Sequence, residues 1–216
     1  MKSVISIKAV NKMPPKAKKV KVESSKKEKK VTVEPSEKAV KDYYYAELSH
    51  ARKIRELNVE HGYKTRWDGL PEHVSENMIK YFIRTNLNDP TCTWLCKGDL
   101  NSSVLGTIEC KSFTSDGPTS FGPKQKWDNI FFLDARGWLD DKIVIWHIPL
   151  PNTNPVWTNI MVNQKQTKEQ QSDESRRPRI NWEGLKPQLG DHCKKVYEGT
   201  FEGIFTAKAQ PVQQLA

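Results

Sequence analysis

The chain has 216 residues, with 35 Lys and Arg against 26 Asp and Glu, for a formal net charge of +9. Residues 1–41 hold 13 Lys and 4 Glu and so carry the whole excess; residues 42–216, with 22 basic and 22 acidic side chains, are neutral. This excludes the simple argument that a basic protein binds nucleic acid through its folded part. No apolar run approaches the roughly 20 residues that a membrane span needs. The apolar part of Val4–Ile7 is too short for a signal peptide. The reading is therefore an intracellular protein with Cys92, Cys96, Cys110 and Cys193 as free thiols. Cys92 and Cys96 with His192 and Cys193 offer a zinc alternative, but the adjacent second pair closes a tetrahedron poorly.

In chain order, residues 1–41 read as a disordered Lys-rich leader, too poor in apolar side chains to order itself. It is either a solvating tail or a tether that binds polyanions without reading sequence. Residues 42–216 read as a single domain. Tyr44, Leu48, Ala51, Ile54 and Leu57 recur at three or four and predict a helix over 42–59. Pro71 and Glu72 open a second helix over 72–87, with Val74, Met78, Ile79, Phe82 and Ile83 on its apolar face. Glu76 borders that face, where a carboxylate is costly without a partner; a rim position in water is the plain alternative. After Asn88-Asp89-Pro90 comes a hairpin over 93–113, then a Gly/Pro/Ser-rich loop over 114–123, expected on the surface, followed by Lys124 and Lys126.

Ile130–Leu133 and Lys142–Leu150 predict two further strands, the first buried on both faces. Asp134, Arg136, Asp140 and Asp141 fall on the turn between them; Asp134 resembles a catalytic acid but reads as a structural or turn residue. His147, alone in its strand, reads as a core residue and not as a base. A short helix is expected at 154–162. Residues 163–181 are rich in Asn, Gln and Arg. Arg can pair bidentately with guanine, and Asn or Gln with adenine, so Arg176, Arg177, Arg179 and Asn181 are candidate DNA contacts; a solvated loop is the alternative. Trp182, Leu185 and Leu189 mark a last helix. The element order suggests an α/β or α+β domain with a mixed central sheet.

The stretch that carries chemistry is 98–111. Asp99 is followed ten residues later by Glu109, with Lys111 two beyond. If 107–113 is a strand, Glu109 and Lys111 share a face and Cys110 points the other way. Two carboxylates can hold Mg²⁺, which polarises a phosphate and activates a water, while an ammonium orients that water or offsets developing charge. Asp99 lies opposite Glu109 only if the turn is centred near Val104, which predicts a wide or bulged turn over 101–106 that Gly106 permits. The plain alternative is a surface hairpin with incidental charges.

Asp99…Glu109-Cys110-Lys111 resembles the PD-(D/E)xK nuclease motif of type II restriction endonucleases. Residues 109–123 (ECKSFTSDGPTSFGP) and Arg176–Ile180 strengthen the resemblance. Gly98 departs from the motif's Pro, at a position that varies in the family. The resemblance implies a restriction-endonuclease-like core, Mg²⁺ dependence, cleavage of double-stranded DNA at a short specific sequence, and a homodimer. It also implies a helix Glu near the metal, a role that falls to Glu76. Lys124 and Lys126 leave the active edge with the loop and so are candidates to track the phosphate backbone. Two other readings stand beside this one: a non-catalytic nucleic-acid binder using its basic tail, and a repair or junction-resolving nuclease of the same fold.

Overall fold

The computed structural model describes residues 34–66, 69–95 and 99–206. Helix α1 (Glu37–His61) starts where the Ser36 hydroxyl accepts a hydrogen bond from the Ala39 N–H, 3.2 Å away, and stops at Gly62 with φ +68°. The leader boundary at residue 41 is thereby corrected. Lys38 pairs with Asp42, and Lys41 with Glu37 and Glu202 at 2.9 and 2.8 Å, so these lysines belong to the helix. The rest of the leader, 1–33, lies outside the described residues.

Just before α1, Glu34 pairs with Lys80 at 2.7 Å and Arg84 at 3.0 Å. Lys80 is wholly buried on α2 (Glu72–Asn86), where desolvation lowers its pKa and Glu34 opposes the shift. The predicted apolar face of α2 is no more than 1 % exposed at Val74, Met78, Ile79, Phe82 and Ile83. Each such side chain contributes about 1.5–3 kcal/mol by leaving water.

After α2 come β1 (Thr93–Trp94), β2 (Leu100–Ser102), β3 (Gly106–Phe113), β4 (Thr119–Ser120), β5 (Asn129–Asp134) and β6 (Ile143–Ile148). They are followed by α3 (Pro155–Thr158), α4 (Lys168–Asp173), β7 (Arg179–Ile180), α5 (Trp182–Leu189), β8 (Lys194–Gly199) and α6 (Gly203–Thr206). The main sheet is mixed, in the order β1-β2-β3-β5-β6-β8, with β3 and β5 parallel and the other neighbours antiparallel. This is the expected α+β architecture of a restriction-endonuclease-like fold. Parallel neighbours need a long crossover, usually a helix; here residues 114–128 cross by way of β4, which pairs with β7 in a separate two-stranded sheet.

Alternation along the strands divides the interior into two cores. Ile108, Cys110, Phe131 and Leu133 pack with α1 and α2, where Tyr44 stacks on Phe201 with ring centroids 3.6 Å apart. Phe113, Ile130 and Phe132 face the other way, onto Phe121, Trp127, Trp157 and Trp182. β5 is buried on both faces, as its continuous apolar run predicts. His147 is wholly buried and stacks on Phe131 at 4.2 Å; its Nε2 lies 2.7 Å from Asn129 Oδ1. Burial, with Lys194 nearby, pushes its pKa down to about 4.

Two expectations for loops are corrected. Residues 114–123 are not all surface: Thr119 is buried and Phe121 is wholly so, because the aromatic core reaches through the crossover. Within 163–181 lie α4 and β7. Thr167 and Gln170 form a capping box at the start of α4, and Lys168 lies over the rings of Trp127 and Trp157 at 5.1 and 5.9 Å.

Candidate active site

The β2–β3 turn sets the site's register. Ser102 Oγ accepts hydrogen bonds from the N–H groups of Val104 and Leu105 at 3.0 and 2.9 Å, and donates to Asp89. Gly106 closes the turn with φ +70°, where a Cβ would collide with the Asp128 carboxylate. Asn101 pairs with Thr107 and Leu100 with Ile108; one more step sets Asp99 across from Glu109. The wide turn centred near Val104 is therefore present. The Asp99 carboxylate leans back onto β3, where Oδ2 accepts from the Cys110 N–H at 2.6 Å.

Glu109 and Lys111 share the face toward the aromatic core, and Cys110 packs on the α2 side. Glu109 is 4 % exposed. Its Oε1 takes the Lys111 ammonium and, at 2.6 Å, a hydrogen bond from Gln125 Nε2. Among the described residues nothing donates to Asp99 Oδ1 or Glu109 Oε2. Burial raises the pKa of both carboxyls. For Asp99 the Cys110 N–H and then Lys111 oppose the rise, while Glu72 adds to it. For Glu109, Lys111 opposes it and Asp99 adds to it.

Glu76 is not a rim residue in water. It is 7 % exposed, and its Oε2 accepts from Trp94 Nε1 at 2.6 Å. Burial pushes its pKa up to about 7; the Trp94 bond lowers it, and Asp99, Glu72 and Glu109 raise it further. The partner that a carboxylate on this stripe requires is thus Trp94 on β1. Glu72, Glu76, Asp99 and Glu109 are electrostatic neighbours with Lys111 as the near cation, an acidic surplus that attracts positive charge. Among the described residues no three His, Cys, Asp or Glu side chains converge closely enough to hold a metal by themselves.

Glu76 links the stability of the fold to pH. Its folded pKa is raised from 4.5 to about 7. Between those values the folded form holds a proton that the unfolded chain has lost. The contribution is full below pH 4.5 and disappears as pH rises through 7. In chelator at pH 8, Glu76→Gln is expected to raise stability by up to about 3 kcal/mol, with the difference closing toward pH 4.5. Denaturant titrations at both pH values check this; an equal gain at each would place the effect in packing instead of charge.

The predicted DNA-contact residues converge in part. Arg176, Arg177, Arg179 and Asn181 are all exposed, and Arg176 also pairs with Glu174 at 3.2 Å. Arg179 lies opposite Ser120 in the β4–β7 sheet, and the Phe121 N–H donates to the Pro178 carbonyl at 2.9 Å. The crossover and the Arg segment, far apart in sequence, thus form one arm. Lys124 and Lys126 are exposed on either side of Gln125. Trp94 and Gln125 are the site residues that sequence reasoning missed; β1 has two residues, too few for any periodicity to mark Trp94, and nothing local marks Gln125. Beyond Lys111 a crevice of ≈ 260 Å³ opens among Gly69, Ser112, Thr114, Ser115 and Gly117. Arg136 ties this end down by pairing with Asp134, Asp116 and Glu183 at 2.7, 2.7 and 2.8 Å, which gives Asp134 the expected structural role.

The zinc alternative is not supported by packing. Cys92 lies in the core beneath α2 and Cys193 against the aromatic core, while Cys96 lies outside the described residues. No described helix is long and apolar enough to cross a membrane. Among known proteins, the family model described as Bsp6I restriction endonuclease matches residues 36–184. That match starts at the N-cap of α1 and spans every residue placed in the site and the arm. No curated protein matches the chain, and no solved structure does.

Proposed function

Since the chain belongs to the Bsp6I restriction endonuclease family, we propose that it is a type II restriction enzyme: an Mg²⁺-dependent, site-specific deoxyribonuclease acting on double-stranded DNA. The observation that carries the assignment of chemistry is the meeting of Asp99, Glu109 and Lys111 at one end of the β2–β3 hairpin, inside an acidic surplus. Asp99 and Glu109 are the metal-holding pair. Their donor chemistry fits Mg²⁺, which commonly takes one or two carboxylates and leaves its other positions to water and substrate phosphate. When bound, the ion polarises the scissile phosphate and lowers the pKa of a water.

The chain's own groups do the rest. Glu109 holds the Lys111 ammonium at the active edge, where it orients the attacking water and offsets negative charge building on the phosphate. Glu76 assists from α2 as a further acid near the pair. Arg176, Arg177, Arg179 and Asn181 contact bases or phosphates from the arm. Lys124 and Lys126 track the backbone. A homodimer follows by analogy with the family, since a two-fold axis matches the cutting of both strands of a palindrome.

The test is incubation of the purified full chain with a long unmodified DNA, in Mg²⁺ or in chelator. Discrete bands in Mg²⁺ alone are expected. Diffuse nicking, or cutting confined to branched DNA, would move the reading to a repair or junction-resolving nuclease. Binding without cutting would leave a nucleic-acid-binding protein.

A further inference from the structure

Among the described residues, Gln125 is the one side chain that hydrogen-bonds both the candidate metal-holding pair and the crossover segment of the arm. Its Nε2 donates to Glu109 Oε1 at 2.6 Å, and its own Oε1 accepts from the Gly122 N–H. Its backbone is fixed as well: the Gln125 N–H donates to the Gly122 carbonyl at 3.2 Å, and the Gln125 carbonyl accepts from Asn152 Nδ2 at 2.9 Å. Gly122 is itself constrained. A Cβ there would come within 2.9 Å of Gln125 Cγ. Its neighbour Phe121 is wholly buried and its N–H donates to the Pro178 carbonyl; Phe121 directly follows Ser120, and Pro178 directly precedes Arg179. The path from Arg179 to Glu109 therefore runs through contacts that are each a covalent neighbour or a hydrogen bond.

A carboxylate in a metal site is effective only in one orientation, and an error near 1 Å costs about 100-fold in rate. Lys111 alone fixes Glu109 weakly, because an ammonium on a flexible stem constrains direction poorly. The amide of Gln125 supplies a directional donor on the same oxygen. It sits between two exposed lysines and is latched to the arm, so contact between DNA and these groups bears directly on its position.

We propose that Gln125 is a positioning residue. It orients Glu109 for cleavage and makes that orientation depend on correct seating of DNA against the β4–β7 arm. The proposal rests on the reading of Glu109 as a metal-holding carboxylate. Its ligand class is duplex DNA carrying the specific site, and its consequence is that discrimination is expressed in the cleavage step beyond what binding supplies.

The experiment compares the wild type, Gln125→Met and Gln125→Glu, each first shown folded by thermal melting. The substrates are short duplexes carrying a site mapped by wild-type digestion, and the same duplexes with one base pair changed. Affinity is read by fluorescence anisotropy in Ca²⁺, and rate by single-turnover cleavage in Mg²⁺. Gln125→Met is expected to cut the mapped site about 100-fold more slowly with affinity within about threefold of wild type, and its rate ratio between the two duplexes should shrink toward the affinity ratio. Gln125→Glu keeps the acceptor for Gly122 but loses the donor to Glu109, so it should be at least as slow. A purely structural latch would spare it. Independently of activity, the Gln125 side-chain amide resonances, identified by their loss in Gln125→Met, should shift with the mapped duplex and not with the altered one.

Near-wild-type cutting by either variant, parallel loss of binding and rate, or equal amide shifts with both duplexes would overturn the proposal. If those results came from an enzyme whose wild type cuts normally, the nuclease reading would survive. A wild type that cuts no DNA in Mg²⁺ would remove that reading and this inference together.

Discussion

Replacing Glu109 with alanine is expected to lower single-turnover cleavage by about 10³-fold or more while specific DNA binding in Ca²⁺ stays within about tenfold of wild type. A metal's Lewis-acid and water-activating roles are worth several kcal/mol, and each 1.36 kcal/mol is a factor of ten. Glu109 is one of two carboxylates proposed to hold the ion and touches none of the exposed arm residues, so its loss removes chemistry before recognition. The variant also frees the Lys111 ammonium and the Gln125 amide from their shared acceptor. Because that exchange lies beside a core, thermal melting must accompany the assay. Gel shift and cleavage on one duplex decide the matter, and full cleavage by Glu109→Ala would sink the site assignment.

Lys111→Met is expected to be folded, able to bind DNA, and slower than wild type by about 10²–10³-fold, the usual cost of removing one donor that stabilises transition-state charge. Methionine keeps most of the stem's volume and removes the charge. The Lys111 side chain is 16 % exposed, so its packing contribution is retained while its ion pair with Glu109 is lost. Arginine at this position should rescue poorly: its planar fork is wider than an ammonium, and Glu109 Oε1 already receives Gln125. Single-turnover rates beside melting curves check both variants. Near-wild-type cutting by Lys111→Met, with Asp99→Ala inactive, would reduce Lys111 to a strand-surface residue.

Much of the site was legible because its spacing is local. Ten residues separate Asp99 from Glu109, and the alternation of β3 with the turn freedom of Gly106 leaves one register that sets them opposite each other. The apolar stripe of α2 and the continuous run of β5 are equally local signals. The environment of Glu76 was half legible: its place on the stripe demanded a partner, but Trp94 reaches it from another element. What stayed hidden depends on tertiary contact. β4 and β7 are two residues each, too short for any periodicity, and they exist as strands only because they pair. Phe121 sits among Gly, Pro and Ser, so its burial is invisible until the aromatic core forms around it. The polar composition of α4 masks a helix that Thr167 and Gln170 announce only through their capping spacing.

The clasp of Glu34 on Lys80 and Arg84 bears on how the Lys-rich segment can be studied. The composition of the chain invites a cut at residue 41, where the lysines thin out. Such a cut would also discard Glu34, the Ser36 cap and the Lys41 link to Glu202. It would strand the buried Lys80 ammonium without its counter-ion, and removing one partner of a buried pair is among the more damaging changes to a fold. A drop in DNA affinity after that deletion would confound an electrostatic contribution with partial melting of α1. The clean boundary for a shortened protein lies ahead of Glu34, so that whatever the first 33 residues add can be measured on a domain whose own charges are still balanced.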